Sequence, residues 1–178
     1  MSAKVSIRAA TPDDAAAVTA VLRASYPRLM AAAYDAGLLA RTLPAITKAN
    51  PRLLASGTYH LAEAGGGPVG CGGWSFERPG AAEVEPGVGH LRHFATRAGW
   101  TGRGIGGLIY EHCEAQARAA GVTVLECYAS LNAEPFYASL GFRTIGRIEV
   151  KMSNGVAFPS IHMRHSIRQD DPGDRGPA

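Results

Sequence analysis

The run Thr101-Gly102-Arg103-Gly104-Ile105-Gly106-Gly107 constrains this chain more than any other segment. It separates an apolar stretch of strand character, 88–96, from a long amphipathic stretch, 104–120. In the latter, Ile105, Leu108, Ile109, Cys113 and Ala117 share one helical face. A glycine-rich loop that opens a helix presents unpaired first-turn N–H groups at the positive end of the helix dipole. With no Cβ atoms in the way, a diphosphate can approach those groups closely, and Arg103 adds a planar fork of donors suited to phosphate. The segment therefore predicts a strand–loop–helix unit that holds a phosphate-bearing ligand.

The rest of the chain builds around that unit. Val5-Ser6-Ile7-Arg8 alternates as a first strand, and Thr11 caps a helix that begins at Pro12. Val18, Val21, Leu22 and Ser25 lie on one face of that helix, and Pro27 ends or bends it. Residues 29–41 and 44–56 predict one or two further helices, with Pro44 as a start and Gly57 as a stop. Strands over 58–64 and 69–76 flank the turn Gly65-Gly66-Gly67-Pro68 as a hairpin, and 78–87 reads as a loop. After the fourth strand and the glycine loop come a strand at 122–129 and a short helix at 133–140 capped by Asn132. Strands at 142–150 and 156–164 complete the order. Only the second half contains a βαβ unit, so the expected fold class is mixed α/β (α+β): a central, mostly antiparallel mixed sheet flanked by helices. One domain is expected over 1–167, with a flexible polar tail at 168–178 (RQDDPGDRGPA).

Which phosphate ligand the loop takes is a matter of context. Gly102-x-Gly104-x-x-Gly107 fits the dinucleotide fingerprint, and Glu126 lies about twenty residues further on. That fingerprint normally begins a doubly wound domain, whereas here three strands and two helices precede it and fewer than eighty residues follow. No Gly-Lys-Ser/Thr closes the loop, which excludes a P-loop.

Arg103-Gly104-Ile105-Gly106, then a helix, a strand and Asn132-Ala133-Glu134-Pro135-Phe136-Tyr137-Ala138-Ser139-Leu140-Gly141-Phe142, resembles the GCN5-related N-acetyltransferase (GNAT) family. The two motifs cover about 90–145, and the element order extends the resemblance to about 4–165. It implies that acetyl-CoA, or a close acyl-CoA, is the co-substrate. Its diphosphate would lie on Thr101, Gly102, Arg103, Gly104, Ile105, Gly106 and Gly107. Its pantetheine arm would lie in a cleft where the fourth and fifth strands splay, pairing with Phe94, Ala95 and Thr96, with Asn132 bonding its amides or capping the helix. A backbone N–H near Phe94 or Thr96 would polarise the thioester carbonyl. Thr101 departs from the family pattern, which has Gln or Arg there, so that contact is reduced to a hydroxyl; Arg97, Arg103 or the backbone would compensate.

The implied chemistry is transfer of an acetyl or short acyl group to a primary amine. Tyr137 is the candidate acid for the leaving thiolate, since a phenol stays protonated at neutral pH. His90 is the candidate base: counted back from the loop, it falls where family members place a carboxylate on the fourth strand. His90 and Arg92 should share a strand face, with His93 on the other unless a bulge intervenes. Tyr26, Tyr34 and the 29–57 helices occupy the acceptor region, Gly155-Val156-Ala157-Phe158-Pro159 could close it, and Glu77, Glu83 and Glu85 could attract a cationic amine.

Composition sets the remaining bounds. A net charge of +3 is too small to argue for nucleic acid, and no run of 18 uncharged apolar residues predicts a membrane span. Met1-Ser2-Ala3-Lys4 lacks the apolar run of a signal peptide. Cys71, Cys113 and Cys127 are isolated, odd in number and without a CxxC pair, which reads as buried thiols in the cytoplasm and no metal site. The expected partner is a small-molecule or peptide amine acceptor, with no nucleic acid and no membrane. Oligomeric state is open, a homodimer being one arrangement allowed. Two other readings stand beside the acyltransferase: a non-catalytic acyl-CoA-binding module and a dinucleotide-dependent enzyme.

Overall fold

A computed structural model describes residues 4–168. The expected tail lies, from 169 onward, outside the described residues. Seven strands, β1 (Ser6–Ala9), β2 (Tyr59–Ala64), β3 (Gly67–Ser75), β4 (Val88–Thr96), β5 (Val124–Ser130), β6 (Arg143–Lys151) and β7 (Ala157–Ser166), form one sheet in the order β1-β2-β3-β4-β5-β7-β6. The β4–β5 pair is parallel and its neighbours are antiparallel, which is the mixed, mostly antiparallel sheet expected. The doubly wound sheet that the dinucleotide fingerprint requires is therefore ruled out.

Helices α1 (Ala15–Leu29), α2 (Ala36–Ile46) and α3 (Pro51–Ala55) lie on one face, and α4 (Ile105–Ala119) and α5 (Glu134–Ser139) on the other. The buried stripe Val18, Val21, Leu22 and Ser25 packs α1 against Leu53, Leu54, Tyr59, Leu61 and Cys71. On the opposite face Ile105, Ile109, Cys113 and Ala117 anchor α4. Leu108, expected on that face, is 38% exposed, and Tyr110 is buried instead. Burial pushes the Cys71 thiol up to about 12, so it stays protonated. Among the described residues no helix is long and apolar enough to cross a membrane.

Three boundaries differ from expectation, each for a local reason. Pro27 falls in the last turn of α1, where the missing N–H deprives a single carbonyl, so the helix continues to Leu29. Pro44 lies near the end of α2 and starts nothing; Asp35 caps α2 through the Leu38 N–H (3.0 Å), and Asn50 caps α3 through the Arg52 N–H (3.0 Å). Asn132 caps no helix. A 3-10 turn, Leu131–Ala133, precedes α5 and makes Ala133 its cap residue.

Candidate active site

Residues β4 and β5 pair through only three positions, Val88↔Val124, Gly89↔Leu125 and His90↔Glu126, although both strands run on, to Thr96 and Ser130. Beyond His90 they part. The cause is a bulge in β4: Gly73 pairs with Arg92 and Cys71 with Ala95, so Gly72 alone faces both His93 and Phe94. His93 takes a left-handed φ of 48° there, rare for a residue with a Cβ. A Cβ on Gly72 would lie 2.7 Å from the Phe94 ring, so glycine makes room for the bulged strand. Two tyrosines satisfy the bulge's carbonyls, Tyr59 donating to His93 O (2.8 Å) and Tyr26 to Phe94 O (3.1 Å).

Two cavities of about 560 and 570 Å³ open at the parted strands. One, of about 570 Å³, is bounded by β4, the glycine loop and α5. All the residues expected to hold the co-substrate line it except two: Arg103, whose guanidinium lies 4.6 Å over the Trp100 ring, and Arg97, which turns to the Pro68 carbonyl. Trp100 itself lines the cavity, a contact not signalled by the sequence motifs. Gly104 caps α4 at φ 77°, a left-handed conformation suited to glycine, and supplies no side chain to the first-turn N–H groups, which stay available to an anion. The Thr101 hydroxyl is committed: it donates to the Ala98 carbonyl at 3.0 Å. Its proton is thus unavailable to a phosphate, and the α4 backbone is left as the donor set. Gly106 answers a second need, since a Cβ there would lie 2.8 Å from Phe136 Cζ.

Tyr26, Met30, Phe94, Ser130, Ala133 and Tyr137 line both cavities and mark their junction. Tyr137 is buried there, edge-on to Phe94, Phe136 and Phe142. Burial raises its pKa well above the ordinary phenol value, with nearby Cys127 and Tyr26 adding to the effect, so the hydroxyl keeps its proton. Among the described residues it makes no hydrogen bond, whereas Tyr26 has already given its proton to Phe94 O. Tyr34, on the segment between α1 and α2 and expected in the acceptor region, lines neither cavity. It donates to Pro159 O (2.7 Å), accepts from the Leu131 N–H (2.8 Å) and stacks on Phe158 at 4.4 Å.

The second cavity lies on the α1–α3 side and begins along β4 at Leu91. His90, the expected base, does not reach it. That side chain is buried one step earlier, Nδ1 3.9 Å from Glu126 Oε2, and lines a separate recess with Arg78, Glu83 and Glu85. The bulge opens the sheet only after His90. Glu126 also pairs with Arg164 (3.3 Å), with the His162 ring beside it, so its charge is answered within the sheet. None of Glu77, Glu83 or Glu85 lines this second cavity, and Glu83 pairs with Arg78 at 3.2 Å. His93, by contrast, lines the cavity, because the bulge brings consecutive residues 91–94 to it.

Burial and the Arg92 charge lower the His93 pKa from 6.5 to about 4, and burial lowers those of His60 and His90 as well. Protonation therefore favours the unfolded chain: stability is full above pH 6.5 and falls as pH drops from 6.5 toward 4. His93 alone should contribute a loss on the order of 2–3 kcal/mol across that window. Urea unfolding at pH 7 and pH 4.5 checks this, with His93→Asn, which tolerates the left-handed φ, expected to lose distinctly less between the two.

The sequence profile of the acetyltransferase (GNAT) family matches residues 23–142. No curated protein matches the chain. Among solved structures, a GCN5-related N-acetyltransferase from Rhodopseudomonas palustris is similar at TM-score 0.70 and 24% identity, covering 94% of this chain and 99% of that one. The PaiA N-acetyltransferase from Thermoplasma acidophilum, in complex with coenzyme A, is similar at TM-score 0.65 and 13% identity, covering 92% and 99%. A GNAT family acetyltransferase from Brucella melitensis, in complex with acetyl-CoA, is similar at TM-score 0.57 and 22% identity, covering 95% and 92%.

Proposed function

Because this chain belongs to the acetyltransferase (GNAT) family, we propose that it transfers an acetyl or short acyl group from acetyl-CoA to a primary amine of a small-molecule or peptide acceptor. The observation that carries the reading is the meeting of two cavities at Tyr137, between strands held apart by a bulge. Coenzyme A and acetyl-CoA in two of the similar structures support the choice of co-substrate. The diphosphate would lie on the free N–H groups that open α4, and the pantetheine arm would lie along Phe94, Ala95 and Thr96, with Asn132 facing it.

The acceptor amine, in the second cavity, attacks the thioester carbonyl across the junction. A backbone N–H near Phe94 or Thr96 would stabilise the oxygen as its charge grows. The carbon–sulfur bond then breaks, and Tyr137 protonates the departing thiolate, its phenolate regaining a proton from cavity water to complete the cycle. Neither carboxylate nor His90 is in place to take the ammonium proton directly, so water in the open cavity is the proposed acceptor. A protonated phenol at the junction favours catalysis over mere acyl-CoA binding. The buried free cysteines support a reducing, cytoplasmic setting.

Calorimetric titration with acetyl-CoA and NAD, followed by thiol release across a broad amine panel, tests the reading. Acetyl-CoA should bind, NAD should not, and at least one amine should drive thiol release above hydrolysis. Tight NAD binding without CoA binding would overturn it.

A further inference from the structure

The acceptor cavity has a one-sided charge. Lys48, Arg92 and Lys151 line it, and neither Asp nor Glu does. The two lysines are exposed at its rim, while Arg92 is half-buried on the β4 floor beside the junction. Arg92 Nη1 donates to Ser75 Oγ at 2.9 Å, a neutral partner. Among the described residues no carboxylate lies within 4.0 Å of its guanidinium. Glu77 is close enough to be felt, but it is exposed and outside the cavity lining. The neighbouring Glu126 is already matched by Arg164. A guanidinium carries five N–H donors, and a charge withdrawn from water without an opposite charge is unfavourable. A polycationic acceptor would meet three positive charges here with no carboxylate in the cavity lining to offset them.

Resting on the acetyltransferase reading above, we propose that the acceptor is an amine that also carries a carboxylate, an amino acid or a short peptide with a free C-terminus, whose carboxylate is held by Arg92. The planar fork of Arg92 matches one carboxylate. Lys48 and Lys151 at the rim draw the anion in. Once Arg92 holds the carboxylate, the amine projects along the β4 floor toward Tyr137. The cationic walls also disfavour the ammonium form of that amine, which increases its nucleophilic fraction where no side-chain carboxylate is present to deprotonate it.

The test compares each protein amino acid, and a set of dipeptides, with the matching carboxamide, together with spermidine, by kcat/KM for thiol release from acetyl-CoA. For the best acceptor the acid should exceed its amide by about 10–100-fold, the loss expected when one charge-assisted contact is removed. Arg92→Gln should cost the acid a similar factor, chiefly in KM, and bring acid and amide within about 2-fold of each other. Arg92→Lys should restore part of the preference. Circular dichroism and thermal melting establish that both variants fold. Amides or spermidine used as well as the acids, or an acid preference unchanged in a folded Arg92→Gln protein, would overturn this inference while leaving acetyl transfer standing. Failure of the protein to bind CoA by calorimetry would instead overturn the reading on which it rests.

Discussion

Replacing Tyr137 by phenylalanine is expected to lower turnover by about 10²–10⁴-fold, the range for loss of a positioned proton donor. The substitution removes one oxygen and keeps the ring, so the edge-on contacts with Phe94, Phe136 and Phe142 persist and the fold should hold. Acetyl-CoA affinity should change little, because the diphosphate would bind at the far end of the cavity, on the start of α4. Burial holds the phenol protonated beyond its ordinary range. The wild-type enzyme should therefore show no alkaline loss of activity from Tyr137 through neutral and mildly alkaline pH. Tyr26 is the internal comparison: it lies at the same junction, but its proton is engaged with the Phe94 carbonyl. Tyr26→Phe should act through the shape of the bulge and lower turnover less than Tyr137→Phe. A Tyr137→Phe protein that turns over at the wild-type rate across the pH range would rule out the acid role.

What the sequence made legible follows the range of the physics involved. Local patterns placed the glycine loop, the buried stripe of α1 and most strands, because periodicity and helix starts are set by neighbours along the chain. Proline positions were less decisive, since Pro27 and Pro44 both sit near helix ends, where one missing N–H is tolerated. The candidate base was misplaced relative to the cavity for a different reason. The bulge arises from tertiary accommodation: Gly72 yields space to Phe94, while Tyr59 and Tyr26, distant in sequence, take the carbonyls of the distorted strand. No count along β4 alone reveals that the sheet opens one residue after His90. The charge of the acceptor cavity was equally hidden, because Lys48, Arg92 and Lys151 come from three separate elements. Glu83 and Glu85, which stand out in the sequence, line the smaller recess beside Arg78 and not this cavity.

Gly106→Val is expected to weaken acetyl-CoA binding by about 10–100-fold, with the fold retained. Two mechanisms could produce the loss, and they are separable. A Cβ at position 106 would lie 2.8 and 2.9 Å from Phe136 Cζ and Cε2, closer than packed atoms tolerate. Either the Phe136 ring moves, or the start of α4 shifts and carries the first-turn N–H groups away from the diphosphate. Phe136 also stands 5.0 Å from the Tyr137 ring and 6.4 Å from Phe94, so a displaced ring would disturb the junction as well. Overpacking of this kind costs about 1–3 kcal/mol of stability, which thermal melting would register. Gly104→Val differs in cause: nothing lies within 4 Å of its Cβ, but φ is +77°, so the cost is backbone strain at the helix cap. The pair Gly106→Ala and Gly106→Ala/Phe136→Leu decides between the mechanisms. If the clash with Phe136 is responsible, trimming that ring restores CoA affinity. If the added carbon itself keeps the diphosphate from the backbone, the double variant binds as weakly as the single one. Unchanged CoA affinity in a folded Gly106→Val protein would mean that the diphosphate does not rest on this turn of α4.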